Sequence, residues 1–382
     1  MTGHQTPSVV VPHVPWLDGL RGGAALWVVV SHISILTGLP AIAVLSWGGL
    51  AVDLFMMLSG FLMVHHYILR QHTAPWHRAQ TATDFWQRRF FRIAPLYYVL
   101  LIVALLLGPH LGAYRDMIAA VWPKTATSPA RYLDQSLINA VAHVSFGFGL
   151  LPDYAFRTAL PDWSIGLEMQ FYLVFPLLMI TLARLGVWRA ALGIAALCFT
   201  ALWLWPGFFA RFEMPAFLPL RLHVFFIGML IAFGRAQGRL TQALAVALLI
   251  LATSAVVHGL KLPLAQTGVA LGLFYIMDDG HLPFSRPLTP ALGWLRRALS
   301  GKISAFLGDT SYATYLLHLL ILLPVAGMLA ASANYVAYPA AMRFALVTVL
   351  VVPPTYLLGW LLHHTIEKPG IKLGRRLARR QT

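Results

Sequence analysis

Charge is what this sequence has least of. Only 11% of its 382 residues are Asp, Glu, Lys or Arg, and the acids number 13 against 28 bases. A soluble globular domain carries about 25% charge, so a large soluble helical protein is excluded. Cysteine is almost missing as well. The single Cys198 forbids an internal disulfide, and in an apolar stretch it reads as packing. There is no Gly-x-Ser-x-Gly elbow, no low-complexity linker, and no internal repeat of the kind that builds many transporters. No basic region precedes the first apolar run. Ala41-Ile42-Ala43 resembles a signal-peptidase site, but a second span follows at once and cleavage is not expected. No soluble domain is expected at either end.

What the chain does have is apolar length. It is 59% hydrophobic with a mean hydropathy of +0.72. Stretches near 20 residues recur along it, which predicts an all-α polytopic transmembrane helical bundle. The spans read as roughly 16–38, 48–69, 90–108, 163–183, 187–205, 215–233, 241–258, 264–278, 303–326 and 343–363, about ten in all. The formal charge of +15 then means Lys- and Arg-rich cytoplasmic loops rather than a nucleic-acid partner. Arg70–Arg92, Gly234–Leu240 and Asp279–Lys302 carry those bases, as does a tail with Lys372, Arg375, Arg376, Arg379 and Arg380 suited to an anionic inner leaflet. Leu137–Leu151 is also apolar, but a crossing there would flip every later basic loop. It is therefore read as a re-entrant or interfacial segment of a long outer loop, 109–162, with Asn139 and His143 in a wetter position. Both termini are then cytoplasmic. The whole chain, 1–382, forms one integral-membrane domain with a core over 16–369 and a basic tail over 370–382.

Several residues in this bundle carry chemistry. Arg21 and His32 stand eleven apart in the first span. At 100° per residue they share one helix face, about 16 Å apart along the axis. An arginine at membrane depth faces a protein interior or a wet cavity, and histidine suits proton transfer near neutral pH. Asp18 is placed to pair with Arg21 at i, i+3, and Gly22, Gly23, Ala24 and Ala25 allow close approach of a neighbour. Asp53 in the second span is a candidate to orient His32 or balance Arg21, while Ser59-Gly60 reads as helix packing.

Arg88, Arg89 and Arg92 stand where the third span leaves the cytoplasm, with Arg89 and Arg92 on one face. Forked guanidinium donors match phosphate oxygens, so a phosphorylated donor such as coenzyme A would use such a site. Glu168 lies about one turn into the fourth span, where a buried carboxylate needs a partner. Tyr312, Tyr315 and His318 recur at three-residue spacing as a polar stripe. Glu367-Lys368-Pro369 reads as a helix terminator with a charge pair. His65-His66 and His363-His364 raise a metal question, but adjacent helical residues point apart and no Cys or carboxylate cluster completes a set, so no metal is expected.

In order along the chain stand Leu17-Asp18-Gly19-Leu20-Arg21-Gly22 with ten residues between Arg21 and His32, then Val52-Asp53-Leu54-Phe55 with Leu58-Ser59-Gly60-Phe61-Leu62. Arg89-x-x-Arg92-Ile93-x-Pro95, Trp163-Ser164 with Glu168-x-x-Phe171-Tyr172-Leu173, and Ser311-Tyr312 with Tyr315-Leu316-x-His318 follow. Together these resemble the integral-membrane acyltransferase family 3, which includes O-antigen, exopolysaccharide and peptidoglycan O-acetyltransferases. The resemblance runs from residue 16 to about 369. It implies an acyl-CoA donor, most often acetyl-CoA, at the cytoplasmic face of a bacterial inner membrane. It also implies a carbohydrate acceptor, often lipid-linked, at the outer face. Arg21 and His32 match the family's essential pair, and Arg89 and Arg92 its donor-binding arginines, beside which Arg88 is added. Trp163, Ser164, Tyr312, Tyr315 and His318 are then candidates for substrate binding. Gly166 and Met169 stand where many relatives are more polar, which leaves the acceptor open.

On this reading the chain is a membrane O-acyltransferase with His32 as general base or as acyl carrier, Arg21 stabilising negative charge, and Glu168 or Asp53 orienting. Two alternatives stay beside it: a proton-coupled carrier of a glycolipid or anion, and an O-acyltransferase for a small secondary-metabolite sugar.

Overall fold

The computed structural model describes residues 14–72, 74–76 and 78–379, so both termini and Arg380 lie outside the described residues. Helix is the only regular structure among those residues. Eight helices are long and apolar enough to cross a membrane. They include α1 (Pro15–Leu36), α2 (Gly48–Arg70) and α3 (Ala79–Val121). A short helix α4 (Leu137–Val144) leads to α5 (Trp163–Leu185), α6 (Val187–Leu204), α7 (Leu222–Ala236), α8 (Leu240–His258) and α9 (Lys261–Met277). Then follow α10 (Ser285–Leu299), α11 (Lys302–Ala330), α12 (Ala340–Leu362) and, after a π-helical turn over His363–Glu367, α13 (Lys368–Arg379).

The elements expected at 215–233 and 264–278 form as the shorter helices α7 and α9. Pro215 and Pro219 delay the start of α7, because proline lacks the N–H a helix interior needs. Its 15 residues reach about 22 Å, and from Leu222 to Gly234 every side is buried. Such a helix is apolar all round because protein covers it, not lipid. The third span overruns its expected end in the other direction. α3 runs for 43 residues through Pro95 and Pro109, a continuation tolerated where neighbouring helices satisfy the freed carbonyls.

Leu137–Leu151 holds only α4 and a 3-10 turn at Gly147–Leu150. Eight residues rise about 12 Å, far short of the hydrocarbon thickness of about 30 Å. Contrary to a wetter position, Asn139 and His143 are both fully buried. The Asn139 amide donates to the carbonyls of Asp134 and Arg157 at 2.7 and 3.1 Å, and the His143 ring stacks on Phe148 with centroids 4.4 Å apart. Asp162, directly before α5, lies 3.7 Å from His143 Nε2 and accepts from Thr158 at 2.8 Å. Burial pushes its carboxyl above the usual range, against the pull of His143, Thr158, Arg131 and Tyr97.

α11 is the hub, packing on α1, α3 and α12. Its closest approach is made by glycine. A Cβ on Gly22 would fall 2.6 Å from the Gly308 nitrogen, and one on Gly308 would fall 2.7 Å from the Asp18 carbonyl carbon. Of the four small residues after Arg21, Gly22, Ala24 and Ala25 are buried and Gly23 is exposed. The basic C-terminal stretch is no trailing tail. α13 packs on α3, with Gly370 and Gly374 against Pro95 and Phe91, while Lys372, Arg375 and Arg376 face outward.

Candidate active site

α1, α2, α5, α7 and α11 enclose a cavity whose polar wall is Arg21, Ser59, Ser164, Glu168, Ser311, Tyr312 and Tyr315. Four helices approach one another through small residues. Close α1–α11 packing brings Arg21 and Tyr312 to the same cavity, and Gly60 and Gly228 bring α2 and α7 into backbone contact. Glu168 is held by Ser59 Oγ at 3.0 Å and by the hydroxyl of Tyr172. The Tyr315 hydroxyl lies 2.7 Å from Ser164 Oγ and 2.7 Å from the Pro161 carbonyl, which fastens the segment before α5 to the hub. Tyr312 donates to the Ile93 carbonyl at 2.8 Å.

Arginines gather at one end of this cavity. Arg21 sits 3.8 Å from Asp18 and within the fields of Arg92, Glu168 and Glu367. Arg89 lies over the rings of Phe85 and Tyr172, 5.7 and 5.5 Å from their centroids, and its Nε is buried without a partner. Arg92 faces Glu367, Tyr172, Glu168 and Asp18. Three guanidiniums and three carboxylates, Asp18, Glu168 and Glu367, thus share one polar region, in which the forked donors of the arginines suit phosphate oxygens. Arg88 stands apart from it. It pairs with Asp84 at 3.7 Å and neighbours Arg70 and Arg375.

Beyond Tyr315 lies a pair of histidines. The His318 ring is 6.2 Å from the Tyr315 ring, and its Nε2 is 3.1 Å from His32 Nδ1. His32 Nδ1 also lies 3.0 Å from the Val28 carbonyl, and His318 Nδ1 2.6 Å from the Tyr315 carbonyl. The face shared by Arg21 and His32 is therefore the one that looks onto α11. His318 meets His32 rather than the cavity, and Trp163 packs among apolar neighbours away from the cavity wall.

Asp53 neither orients His32 nor balances Arg21. Its fully buried carboxylate accepts from Gln266 at 2.8 Å and lies 3.5 Å from Arg221, on the α7 and α9 side of α2. Six residues of α2, about one and two-thirds turns, separate the two environments: Asp53 points away from the cavity while Ser59 points in. Glu168 does not reach His32 either; its partners are Ser59 and Tyr172.

Two residues enter that sequence reading had set aside. Ser59 holds Glu168 rather than serving helix packing alone. Glu367 is buried, accepts from His363 Nδ1 at 2.8 Å, and is the strongest opposite charge on Arg92. It sits in a π-helical turn, a feature found disproportionately at functional sites. The four-residue spacing of His363 and Glu367 was the signal for it.

Residues 14–363 match the acyltransferase domain family. Acyltransferase MdmB of Streptomyces mycarofaciens is 27% identical over 96% of this chain and 94% of its own length. O-acetyltransferase OatA of Staphylococcus aureus is 29% identical over 43% of this chain, and the match spans 24% of OatA. No solved structure matches the chain. A bundle of membrane-length helices around a cavity with arginines gathered at one end, together with a family match over nearly the whole chain, leads to one conclusion: this protein belongs to the membrane acyltransferases of family 3 and is a multi-pass membrane O-acyltransferase.

Proposed function

We propose that this enzyme moves an acyl group, acetyl foremost, from cytoplasmic acyl-CoA to a hydroxyl of a cell-surface glycan or lipid-linked saccharide across a bacterial inner membrane. The observation that supports it most is continuity. The cluster of Arg21, Arg89 and Arg92 adjoins the same cavity whose far wall, Tyr315, abuts the His318–His32 pair. A donor with anionic phosphates and a thioester has a place for each part, and an acceptor hydroxyl can approach from the opposite end.

In this mechanism Arg89 and Arg92 hold the coenzyme A phosphates. His32 takes the proton of the acceptor hydroxyl as its oxygen attacks the thioester carbonyl. The C–O bond forms, the C–S bond breaks, and the thiolate leaves with the electron pair and recovers the proton from His32. Arg21 stabilises the negative charge that builds on the carbonyl oxygen, an electrostatic contribution of about 3–4 kcal/mol for a well-placed donor. Residues 16–369 act as one domain, and α13 extends it as a docked helix.

A small secondary-metabolite sugar remains a second acceptor class. The relative matched along 94% of its length is named only as an acyltransferase, while OatA matches over 24% of its own. The experiment is transfer of labelled acetyl from acetyl-CoA in membranes carrying wild type, His32→Ala and Arg89→Ala/Arg92→Ala, with native envelope glycan as acceptor. Label should appear with wild type, vanish with His32→Ala, and return in the double variant at high acetyl-CoA. Full activity in a normally folded His32→Ala protein would sink the proposal.

A further inference from the structure

We infer that His318 is a positioning residue that fixes the tautomer of His32, keeping its proton on Nδ1 and leaving Nε2 as the bare lone pair. The inference rests on the reading of His32 as base, and its argument is a chain of donors and acceptors. The Tyr315 carbonyl accepts only, so His318 Nδ1, 2.6 Å away, carries a proton. Each ring holds one proton, because among the described residues no carboxylate stands within ion-pair distance of either to hold a second. His318 Nε2 is then an acceptor. It lies 3.1 Å from His32 Nδ1, which also faces the Val28 carbonyl at 3.0 Å. Two acceptors converging on one nitrogen place the proton there. The other tautomer would set lone pair against lone pair at both contacts.

The two partners do different work. Val28 lies one turn back on the same helix and shares every movement of α1. His318 is fully buried on α11, so it ties the base to the hub whose Tyr315 walls the cavity. Loss of His318 would leave the His32 ring held from its own helix alone, free to turn about its side-chain bonds.

Two isosteric substitutions separate this role from packing. Gln places its oxygen near the Nε2 position of His318 and keeps the acceptor for His32. Asn places its amide near Nδ1 and keeps only the donor to Tyr315. In the labelled-acetyl assay, His318→Gln should stay within about threefold of wild-type kcat. His318→Asn should fall about 10- to 100-fold, the range for removal of a group that orients a functional histidine, with the acetyl-CoA KM unchanged. Equal loss in both variants, or a rise in KM with kcat intact, would overturn the inference. His32→Ala in parallel keeps the two readings apart: retained transfer there refutes the base itself, whereas Gln and Asn behaving alike refutes only the role of His318. A readout independent of activity and of variant folding is 15N NMR of histidine-labelled wild type in nanodiscs. His32 should show a protonated Nδ1 and an unprotonated Nε2, and the reverse pattern overturns the inference.

Discussion

Removing a carboxylate from the cavity should tighten the enzyme's hold on its donor. Glu168 lines the cavity and shares its charge among Arg21, Arg89 and Arg92. In Glu168→Gln the shape persists, and the amide oxygen can still accept from Ser59 and Tyr172, but the negative charge is gone. At an effective dielectric of about 20, one unit charge about 10 Å from a phosphate is worth about 1.7 kcal/mol, or somewhat over tenfold in affinity. Coenzyme A should therefore bind about tenfold more tightly to the variant, and more so at low salt. The same change weakens the fold. Two bonds to a charged acceptor become bonds to a neutral one, at about 1 kcal/mol each, so about 2 kcal/mol of stability is lost. Since product coenzyme A is held as firmly as donor, kcat should not rise. Isothermal titration of coenzyme A into the purified protein, with a melting curve beside it, measures both quantities. Weaker coenzyme A binding in a variant that melts normally would refute the reasoning, because Glu168 would then be organising the phosphate site rather than opposing it.

Other perturbations test the surroundings of the cavity. Asp53→Ala takes from the partly buried Arg221 its carboxylate partner Asp53 and should cost up to about 3 kcal/mol of stability, the low end for breaking a buried pair. The folded fraction should keep wild-type KM values, and altered donor KM in that fraction would return Asp53 to the site. Asp162 has its carboxyl pKa raised by burial, so the folded state holds that proton more tightly than the unfolded chain, and stability from this group is lost as pH rises from the unfolded value through the folded one. Asp162→Asn should therefore gain melting temperature relative to wild type as pH rises above about 4, the unfolded carboxyl value; a variant that loses ground as pH rises would refute this sign. Gly308→Val drives a side chain into the Asp18 backbone, and overpacking of about 1–3 kcal/mol or more should appear as lower folded yield by size-exclusion chromatography.

The bundle was legible in the chain because membrane-length apolar runs announce themselves, and because Lys and Arg mark the loops between them. The helical face joining Arg21 and His32 was equally legible, since a spacing of eleven residues fixes direction on any α-helix. Local spacing also foretold the Asp18–Arg21 pair. The failures have a common cause. Asp53 and Ser59 share α2, yet one turns to Arg221 and Gln266 and the other to Glu168. Nothing in their own helix says which neighbour each will meet. Glu367 read as a terminator because an acid after the last apolar run sits at an interface by position alone; a π-helical turn and α13 fold it back against Arg92.

Sequence by itself determined the membrane, the helices and their faces, because hydrophobicity and helical periodicity act within one segment. Tertiary structure alone decided which faces meet. Residues 286 apart in the chain became hydrogen-bond partners in His32 and His318, and residues 109 apart did so in Ser59 and Glu168. Such pairings follow from how glycines let α1, α2, α7 and α11 approach, a property of several helices packed at once and of none taken singly.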